Sequence, residues 1–243
     1  MRILLLGGTS EARALAAQLH PDVEVISSLA GRVPDPALPV GQVRVGGFGG
    51  PQGLRDWLRG AGVDAVIDAT HPFAATITAN AATACRAGGV PHLVLVRPAW
   101  PPGDAVVVTS DRHAAKTIVG EGFSRIFLTT GRSGTAAFRN VDAWFLIRAV
   151  TAPDPQDLPP LHELLLSRGP YHYENELAVL REHRIDVLVT KNSGGAMTRP
   201  KLDAAAAVGI PVIMVDRPPL PDDVQTVATV GDAVSWVRST GKS

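Results

Sequence analysis

The chain has 243 residues, of which 45% are hydrophobic and 19% charged, and its 23 basic and 23 acidic residues give a net charge of zero. This composition is typical of a folded globular protein, and a neutral chain lacks the overall field that attracts nucleic acid or a membrane surface. The single cysteine, Cys85, excludes a disulfide framework and a cysteine-rich zinc site. No apolar stretch has membrane-spanning length, so we expect a cytoplasmic protein. We also expect no bound metal.

The first residues of the chain carry the most informative local pattern. An apolar run, Ile3 to Leu6, leads into the sequence GGTSE and then into a helical pattern, Ala12 to Leu19. Such a run is typical of a parallel strand covered on both faces, and paired glycines allow a tight turn close to a ligand. A threonine or serine in the turn can cap the helix, whose N-terminus suits a phosphate. The full dinucleotide fingerprint lacks its third glycine here. The predicted cofactor contacts in this turn are Gly7, Gly8, Thr9 and Glu11.

The second predicted strand, Val23 to Ser27, ends where a Rossmann-type enzyme holds the ribose of its cofactor. An NAD-preferring site usually has an acidic residue at this point, whereas this chain has Ser28 and Arg32. A cation suits the 2′-phosphate of NADP. We therefore predict that Ser28 and Arg32 contact the cofactor, with a solvent-exposed loop arginine as the alternative for Arg32.

The strand Ala65 to Ala69 ends in Thr70 and His71, and a helix is predicted from Ala74 to Ala87. Ligands of open α/β sheets gather at the carboxyl ends of the strands, so Thr70 and His71 should reach the same cofactor as the glycine turn. The alternative for His71 is a helix-entry residue bonded to the backbone.

Strands and helices alternate through the rest of the chain, which predicts parallel sheets with helices on their faces. The proline-rich segment Arg97 to Gly103 is the best candidate for a domain boundary. We therefore predict an α/β fold of two Rossmann-like domains, residues 1–100 for the cofactor and residues 101–243 for the substrate, with the active site in the cleft between them. The last core strand is predicted at Val212 to Val215 and the final helix at Gly231 to Arg238.

Basic residues recur in the loops predicted to follow strands. Any one of them would be a solvated surface charge, but several in the strand-end loops of a neutral protein indicate a bound polyanion. Neighbouring amides and hydroxyls can add hydrogen bonds. The predicted substrate contacts are Arg97, Arg132, Lys191, Asn192, Ser193, Arg199 and Lys201.

Two common enzyme classes lack their motifs. The chain has no G-x-S-x-G elbow, so a hydrolase of that type would lack its nucleophile. Neither Tyr171 nor Tyr173 is followed by a lysine four residues later, so the Tyr/Lys relay of short-chain dehydrogenases is absent.

Several long segments of the chain resemble one family. They are LLLGGTSEAR, VIDATHPFA, RPAW, TTGR, SRGPYHYENE and TKNSGGAMTRPKLDAAAAVGIPVIMVDRP. They resemble the precorrin-6A reductases of aerobic cobalamin biosynthesis and their anaerobic counterparts, the cobalt-precorrin-6A reductases. The resemblance implies an oxidoreductase that uses NADPH to reduce a ring double bond of precorrin-6A, a tetrapyrrole with many carboxylates. Other enzymes of the same pathway are then candidate partners.

The proton that completes such a reduction could come from water or from a side chain. The candidate donors are His71, Tyr171, Glu174 and Lys201. Metal-free and cobalt-bearing substrates are both compatible with the sequence. The alternatives are an NADPH-dependent reductase of another small substrate and a non-catalytic protein that senses NADP.

Overall fold

The computed structural model of the chain describes residues 1–31 and 37–241. It divides into two compact units, of which the first comprises Met1–Pro98 and Pro218–Ser243 and the second comprises Ala99–Arg217. Each unit contains one six-stranded sheet in which the paired strands are parallel. The predicted α/β class with two Rossmann-like domains is confirmed.

The elements follow one another along the chain without long interruptions. Those of residues 1–98 are β1 (Arg2–Leu6), α1 (Ser10–Leu19), β2 (Glu24–Leu29), β3 (Gln42–Val45), α2 (Gly50–Gly60), β4 (Ala65–Asp68), α3 (Ala75–Gly88) and β5 (His92–Leu95). Those of residues 99–217 are β6 (Val106–Val108), α4 (Asp111–Glu121), β7 (Arg125–Leu128), a 3-10 helix (Arg132–Phe138), β8 (Trp144–Ala149), a 3-10 turn (Pro155–Asp157), β9 (Leu161–Leu166), α5 (Tyr173–Glu182), β10 (Val187–Lys191), α6 (Pro200–Ala207) and β11 (Val212–Val215). The last two elements are β12 (Gln225–Val227) and α7 (Val230–Thr240). None of the helices within the described residues is long and apolar enough to cross a membrane.

The two sheets share one strand order. The first runs β3-β2-β1-β4-β5-β12, which is the order of the dinucleotide-binding fold with β12 in the sixth position. The second runs β9-β8-β7-β10-β11-β6, the same order when β7 is counted as the first strand. The strand that follows the fifth strand of each sheet along the chain joins the other sheet: β6 follows β5 but belongs to the second sheet, and β12 follows β11 but belongs to the first. In this sense the two sheets exchange their sixth strands. Both connections that lead to a sixth strand begin with the same dipeptide, Arg97-Pro98 before β6 and Arg217-Pro218 before β12.

This exchange of sixth strands differs from the predicted second domain of residues 101–243. Pro218–Ser243 belong to the first unit, where β12 pairs with β5 and α7 packs on the sheet. The strand β12 was absent from the sequence prediction because it has three residues and its first two side chains are exposed. Such a short edge strand has no apolar run that would distinguish it from a loop.

The central strand of the first sheet is covered on both faces. Ile3 and Leu5 pack with α1 and α7, whereas Leu4 and Leu6 pack with α2 and α3. Successive side chains of a strand point to opposite faces, so this double cover explains why the run is apolar throughout. Fully burying one such side chain contributes about 1.5–3 kcal/mol. The packing therefore places the turn after β1 at the middle of the sheet's carboxyl edge.

Candidate active site

The glycine turn lies where the strand order of the first sheet reverses, between β1 and β4. The Gly7 N–H donates to the Ser28 carbonyl oxygen at 3.0 Å, which continues the pairing with β2. A Cβ at Gly7 would lie 3.3 Å from the Ala12 Cβ, and Gly8 has a φ of +112°, which L side chains rarely adopt. No described atom lies within 4 Å of a Cβ built at Gly8. The turn thus requires glycine and leaves space for a ligand beside its backbone.

Thr9 is the N-cap of α1, which confirms one of the two predicted caps. Its Oγ1 accepts a hydrogen bond from the Ala12 N–H at 3.1 Å and donates to the Ala69 carbonyl at 2.7 Å. The hydroxyl therefore ties the helix start to the end of β4. Because the side chain is engaged in this way, a contact from Thr9 to a phosphate would come from its backbone N–H.

Glu11 and Arg97 form an ion pair beside the turn, with Arg97 Nη1 lying 3.2 Å from each carboxylate oxygen. Burial alone would raise the pKa of Glu11, but hydrogen bonds from the backbone and Ser10 and the charge of Arg97 together outweigh it. The pKa therefore lies below its usual value. The pair lines a small pocket with Thr70 and Leu95. Two residues that the sequence predicts for different ligands, Glu11 for the cofactor and Arg97 for the substrate, therefore contact each other.

Thr70 and His71 lie at the end of β4 on the same edge of the sheet. The buried Asp68 accepts hydrogen bonds from the Thr70 N–H at 2.9 Å and from its hydroxyl at 2.6 Å. His71 Nδ1 accepts the Phe73 N–H at 3.3 Å, which is the helix-entry hydrogen bond considered as the alternative. Since Nδ1 is the acceptor, the neutral ring carries its proton on Nε2.

The edge at β2 contains a cation that the sequence reasoning missed. The predicted Arg32 lies outside the described residues, whereas Arg44 on β3 donates from Nη1 to Ser28 Oγ at 2.9 Å. Burial lowers the pKa of Arg44, but an arginine remains charged at neutral pH. The alternation of the sequence QVRV does not reveal this contact, because it requires the parallel register of β2 with β3.

The second unit brings three predicted residues to the carboxyl ends of β7 and β10. Lys191 Nζ donates to the Thr130 carbonyl at 2.9 Å and lies 3.6 Å from Asp111 Oδ2. Ser193 follows in the same loop, and Arg132 is exposed at the start of the 3-10 helix. Part of the Lys191 charge is thus balanced inside the unit, whereas Arg132 is exposed to solvent.

Asn192 fixes the backbone of Trp100. Its Oδ1 accepts the Trp100 N–H at 2.9 Å, and its Nδ2 donates to the Trp100 carbonyl at 3.1 Å. The Trp100 indole also donates to the Gly195 carbonyl at 2.9 Å. The Asn192 side chain is buried and engaged on both ends, so the geometry gives it a positioning role where the sequence predicts a substrate contact.

A buried charged cluster in the second unit was not anticipated. Arg148 on β8 and Glu176 on α5 form an ion pair of 2.8 Å, with 6% and 2% of their side chains exposed. The Arg148 guanidinium carbon also lies 4.2 Å from the ring centroid of Tyr171 and 4.6 Å from that of Phe127. Partners that far apart in the chain leave no local pattern, so sequence reasoning had no signal for the pair.

Lys201 belongs beside this cluster rather than on an exposed rim as predicted. It is 5% exposed, and its Nζ lies 5.2 Å from the centroid of the Trp100 ring. Burial, with a smaller contribution from the positive charge of Arg148, lowers its pKa to about 7 despite the opposing charge of Glu176. The burial follows from the packing of α6 against α5, which the helical pattern alone does not specify.

The remaining predicted residues are more exposed. Tyr171 is half-buried and donates from its hydroxyl to the Ser167 carbonyl at 3.1 Å. Glu174 is exposed in the first turn of α5. Arg199 forms an ion pair with Asp203 on its own helix at 2.9 Å. An exposed pair of this kind contributes little to stability and does not fix Arg199 for another role.

Comparison with known proteins gives a consistent answer. The family model described as "Precorrin-6x reductase CbiJ/CobK" matches residues 2–238. The chain belongs to this family. It is 65% identical to the precorrin-6A reductase of Mycobacterium tuberculosis and 56% identical to that of Rhodococcus erythropolis, each with 97% of both chains covered. A solved structure titled "CobK precorrin-6A reductase" has a TM-score of 0.90 at 38% identity, covering 99% of this chain and 97% of the other.

Family membership confirms the resemblance seen in the sequence motifs. The chain is a reductase, and the oxidoreductase class predicted from the motifs is confirmed. A more distant relative, the cobalt-precorrin-6A reductase of Salmonella typhimurium, is 31% identical over 89% of this chain and 87% of its own length. The sequence identity to the precorrin-6A reductases of Mycobacterium tuberculosis and Rhodococcus erythropolis is thus higher than the identity to this cobalt-precorrin-6A reductase.

Proposed function

We propose that this chain is an NADPH-dependent precorrin-6A reductase, which reduces one ring double bond of the macrocycle during cobalamin biosynthesis. The observation that carries the proposal is the glycine turn at the reversal point of a sheet with dinucleotide-binding order, in a chain 65% identical to a precorrin-6A reductase. We expect this activity in the cytoplasm, where NADPH is regenerated.

The first unit offers residues that fit a dinucleotide. The turn at Gly7 and Gly8 permits close backbone approach, and Thr9 presents the start of α1, where N–H groups and the helix dipole favour a pyrophosphate. Ser28 lies toward the adenosine side at β2, and Thr70 lies on the other side at β4. When bound, the dihydronicotinamide supplies a hydride, and this chain's residues orient it.

We assign the proton of the reduction to His71. A dinucleotide whose adenosine lies at β2 extends across β1 toward β4, so its reactive end lies at the strand that His71 follows. The Phe73 N–H holds the neutral ring at Nδ1, with the proton on Nε2. To act as the general acid, His71 must carry a second proton, so the imidazolium would give up the 3.3 Å hydrogen bond from Phe73. Reduction of the double bond then takes one hydride and the Nε2 proton, which leaves a neutral imidazole. Of the other candidate donors, Glu174 is exposed on α5 and Tyr171 donates its hydroxyl to Ser167.

The second unit supplies the basic residues for a polycarboxylate. Arg132 is exposed, the Arg199 side chain is 43% exposed, and Lys191 adds a charge at the end of β10. Arginine binds carboxylates through two parallel hydrogen bonds, which suits the acetate and propionate groups of such a substrate. Ser193 contributes polar groups beside them, and Asn192 holds Trp100 in place.

The test is a turnover assay with purified protein, in which NADPH oxidation and the visible spectrum of the tetrapyrrole are followed together. Metal-free and cobalt-bearing precorrin-6A are supplied side by side, and we expect faster turnover of the metal-free substrate. NADPH oxidation must require the tetrapyrrole and be accompanied by loss of its conjugation. Tight NADPH binding without oxidation in the presence of either substrate would contradict the proposal and favour a sensing protein.

A further inference from the structure

The carboxyl edge of the first sheet contains a second polar feature beside the glycine turn. Ser28 on β2 and Arg44 on β3 are register partners in the parallel pair. The Ser28 carbonyl accepts the Gly7 N–H, so the serine adjoins the start of the glycine turn. Arg44 therefore lies one strand further from the turn than Ser28, on the side of the sheet where a Rossmann-type protein holds the adenosine ribose.

The guanidinium of Arg44 is held by hydrogen bonds and by aromatic contacts within the unit. Its Nη1 donates to Ser28 Oγ at 2.9 Å and to the Gly46 carbonyl at 3.0 Å, and its Nη2 donates to the Gly47 carbonyl at 3.1 Å. Its central carbon lies 3.7 Å from the centroid of the Phe48 ring. A cation stacked on an aromatic face and fixed by hydrogen bonds loses little further freedom when it binds an anion.

Two donors of this guanidinium remain. Guanidinium has five N–H groups, of which three are directed to Ser28, Gly46 and Gly47. The Nε–H and the second Nη2–H have no hydrogen-bond partner within residues 1–31 and 37–241. These two N–H groups lie on one edge of the planar group and form the fork that binds two oxygens of a phosphate.

The described segments next to this edge of the sheet carry no acidic residue. The described residues from 28 to 31 and from 37 to 50 include no aspartate or glutamate. A carboxylate at the end of β2 would select the 2′-hydroxyl of NAD and repel a phosphate, and a buried Ser28 stands there instead.

We infer that Arg44, anchored by Ser28 and Phe48, binds the 2′-phosphate of NADPH and sets the preference for NADPH over NADH. Arg44 is then the residue that contacts the phosphate, and Ser28 is a positioning residue that acts through it. This inference rests on the proposed cofactor. It assigns the contact with the 2′-phosphate to Arg44 on β3, whereas the sequence analysis predicted Arg32 for that role. The ligand chemistry is a phosphate monoester on an adenosine ribose.

The experiment measures binding of two adenosine ligands that differ only in the 2′-phosphate, namely adenosine 2′,5′-bisphosphate and 5′-AMP. Titration calorimetry on the full chain gives both dissociation constants for the wild type and for Arg44→Met and Arg44→Lys. Arg44→Met removes charge-assisted hydrogen bonds to the 2′-phosphate. We therefore expect it to raise the dissociation constant of the bisphosphate by about tenfold or more relative to that of 5′-AMP. Arg44→Lys keeps the charge but lacks the paired N–H groups, so its ratio of the two dissociation constants should lie between that of the wild type and that of Arg44→Met.

Two matched variants serve as controls. Arg59→Met removes an exposed cation from α2 of the same unit and should leave the ratio of the two dissociation constants unchanged. Arg32→Met removes the arginine predicted from the sequence. Circular dichroism and the melting temperature show whether each variant is folded.

The outcomes separate the alternatives. Equal weakening of both ligands in Arg44→Met would mean that Arg44 only holds the carbonyls of Gly46 and Gly47, and a changed ratio in Arg32→Met alone would assign the phosphate to Arg32. Either result overturns the inference. A wild type that binds both ligands equally but still reduces precorrin-6A with NADH would also overturn it, while the proposed reduction itself would remain. Absence of any nicotinamide-dependent reduction would instead contradict the proposed function.

Discussion

Replacing Lys201 by methionine should change how the stability of the second unit depends on pH. The substitution removes the titrating amine and keeps an unbranched side chain in a site that is 5% exposed. In the folded chain, burial lowers the pKa of Lys201 from 10.5 to about 7. Between these values the unfolded chain holds a proton that the folded chain lacks, so the wild-type free energy of unfolding rises with pH in that window.

The size of the effect follows from the width of the window. One pKa unit corresponds to about 1.4 kcal/mol. From about pH 7 to about pH 9.5, the Lys201 contribution to the free energy of unfolding should increase by about 3 kcal/mol. Below pH 7 both states are protonated and the contribution becomes constant. Other titrating groups are shared by wild type and variant, so the difference between the two curves isolates Lys201.

The assay is urea-induced unfolding at half-unit pH intervals, followed by tryptophan fluorescence, to which Trp100 and Trp144 of the second unit contribute together with Trp57 and Trp236 of the first. The free energy of unfolding of the wild type minus that of Lys201→Met should rise from about pH 7 to about pH 9.5. Lys116→Met removes an exposed lysine of α4 and should give a flat difference. A flat difference for Lys201→Met as well would mean that the amine remains protonated in the folded state, and the reasoning from its burial would be wrong.

Three further substitutions test the geometry of the two units. Gly8→Ala places a Cβ at a φ of +112° and should lower the free energy of unfolding by about 1–3 kcal/mol. It should also weaken NADPH binding, which calorimetry measures, whereas the control Gly60→Ala, at an open position of α2, should not. Comparable NADPH affinity in both variants would refute the requirement for glycine. Asn192→Ala leaves the Trp100 N–H and carbonyl unpaired and should lower the urea stability of the second unit by about 2–4 kcal/mol, and a loss under about 0.5 kcal/mol would contradict the clamp. His71→Gln should lower turnover by about 10²–10⁴ with NADPH binding retained, whereas a near-normal rate would return His71 to a helix-entry role.

The sequence was informative wherever a structural feature depends on neighbours in the chain. The apolar run Ile3 to Leu6 predicted a strand covered on both faces, and the packing of alternate residues onto two layers of helices bears this out. Thr9 caps α1 as one of two predicted caps, because capping involves an N–H three residues away. The long C-terminal motif identified the family, and the comparisons confirm it.

The features that sequence reasoning missed involve partners distant in the chain. The ion pair of Arg148 and Glu176, the anchoring of Arg44 by Ser28 and the burial of Lys201 each depend on which elements pack together. A hydrophobic period reports that a residue faces a core, but it does not report what lies across that core. The same limit explains the domain boundary, since nothing in a three-residue edge strand indicates which sheet it joins.

The local chemistry of the chain thus specified the parallel α/β class, the glycine turn and the family, because backbone conformation, capping and burial of one face are short-range properties. The exchange of the sixth strands, the position of Arg44 beside Ser28 and the depressed pKa of Lys201 came from tertiary contacts. Strand pairing and the desolvation of a charge depend on atoms from several segments at once. Their energies therefore exist only after those segments have been brought together.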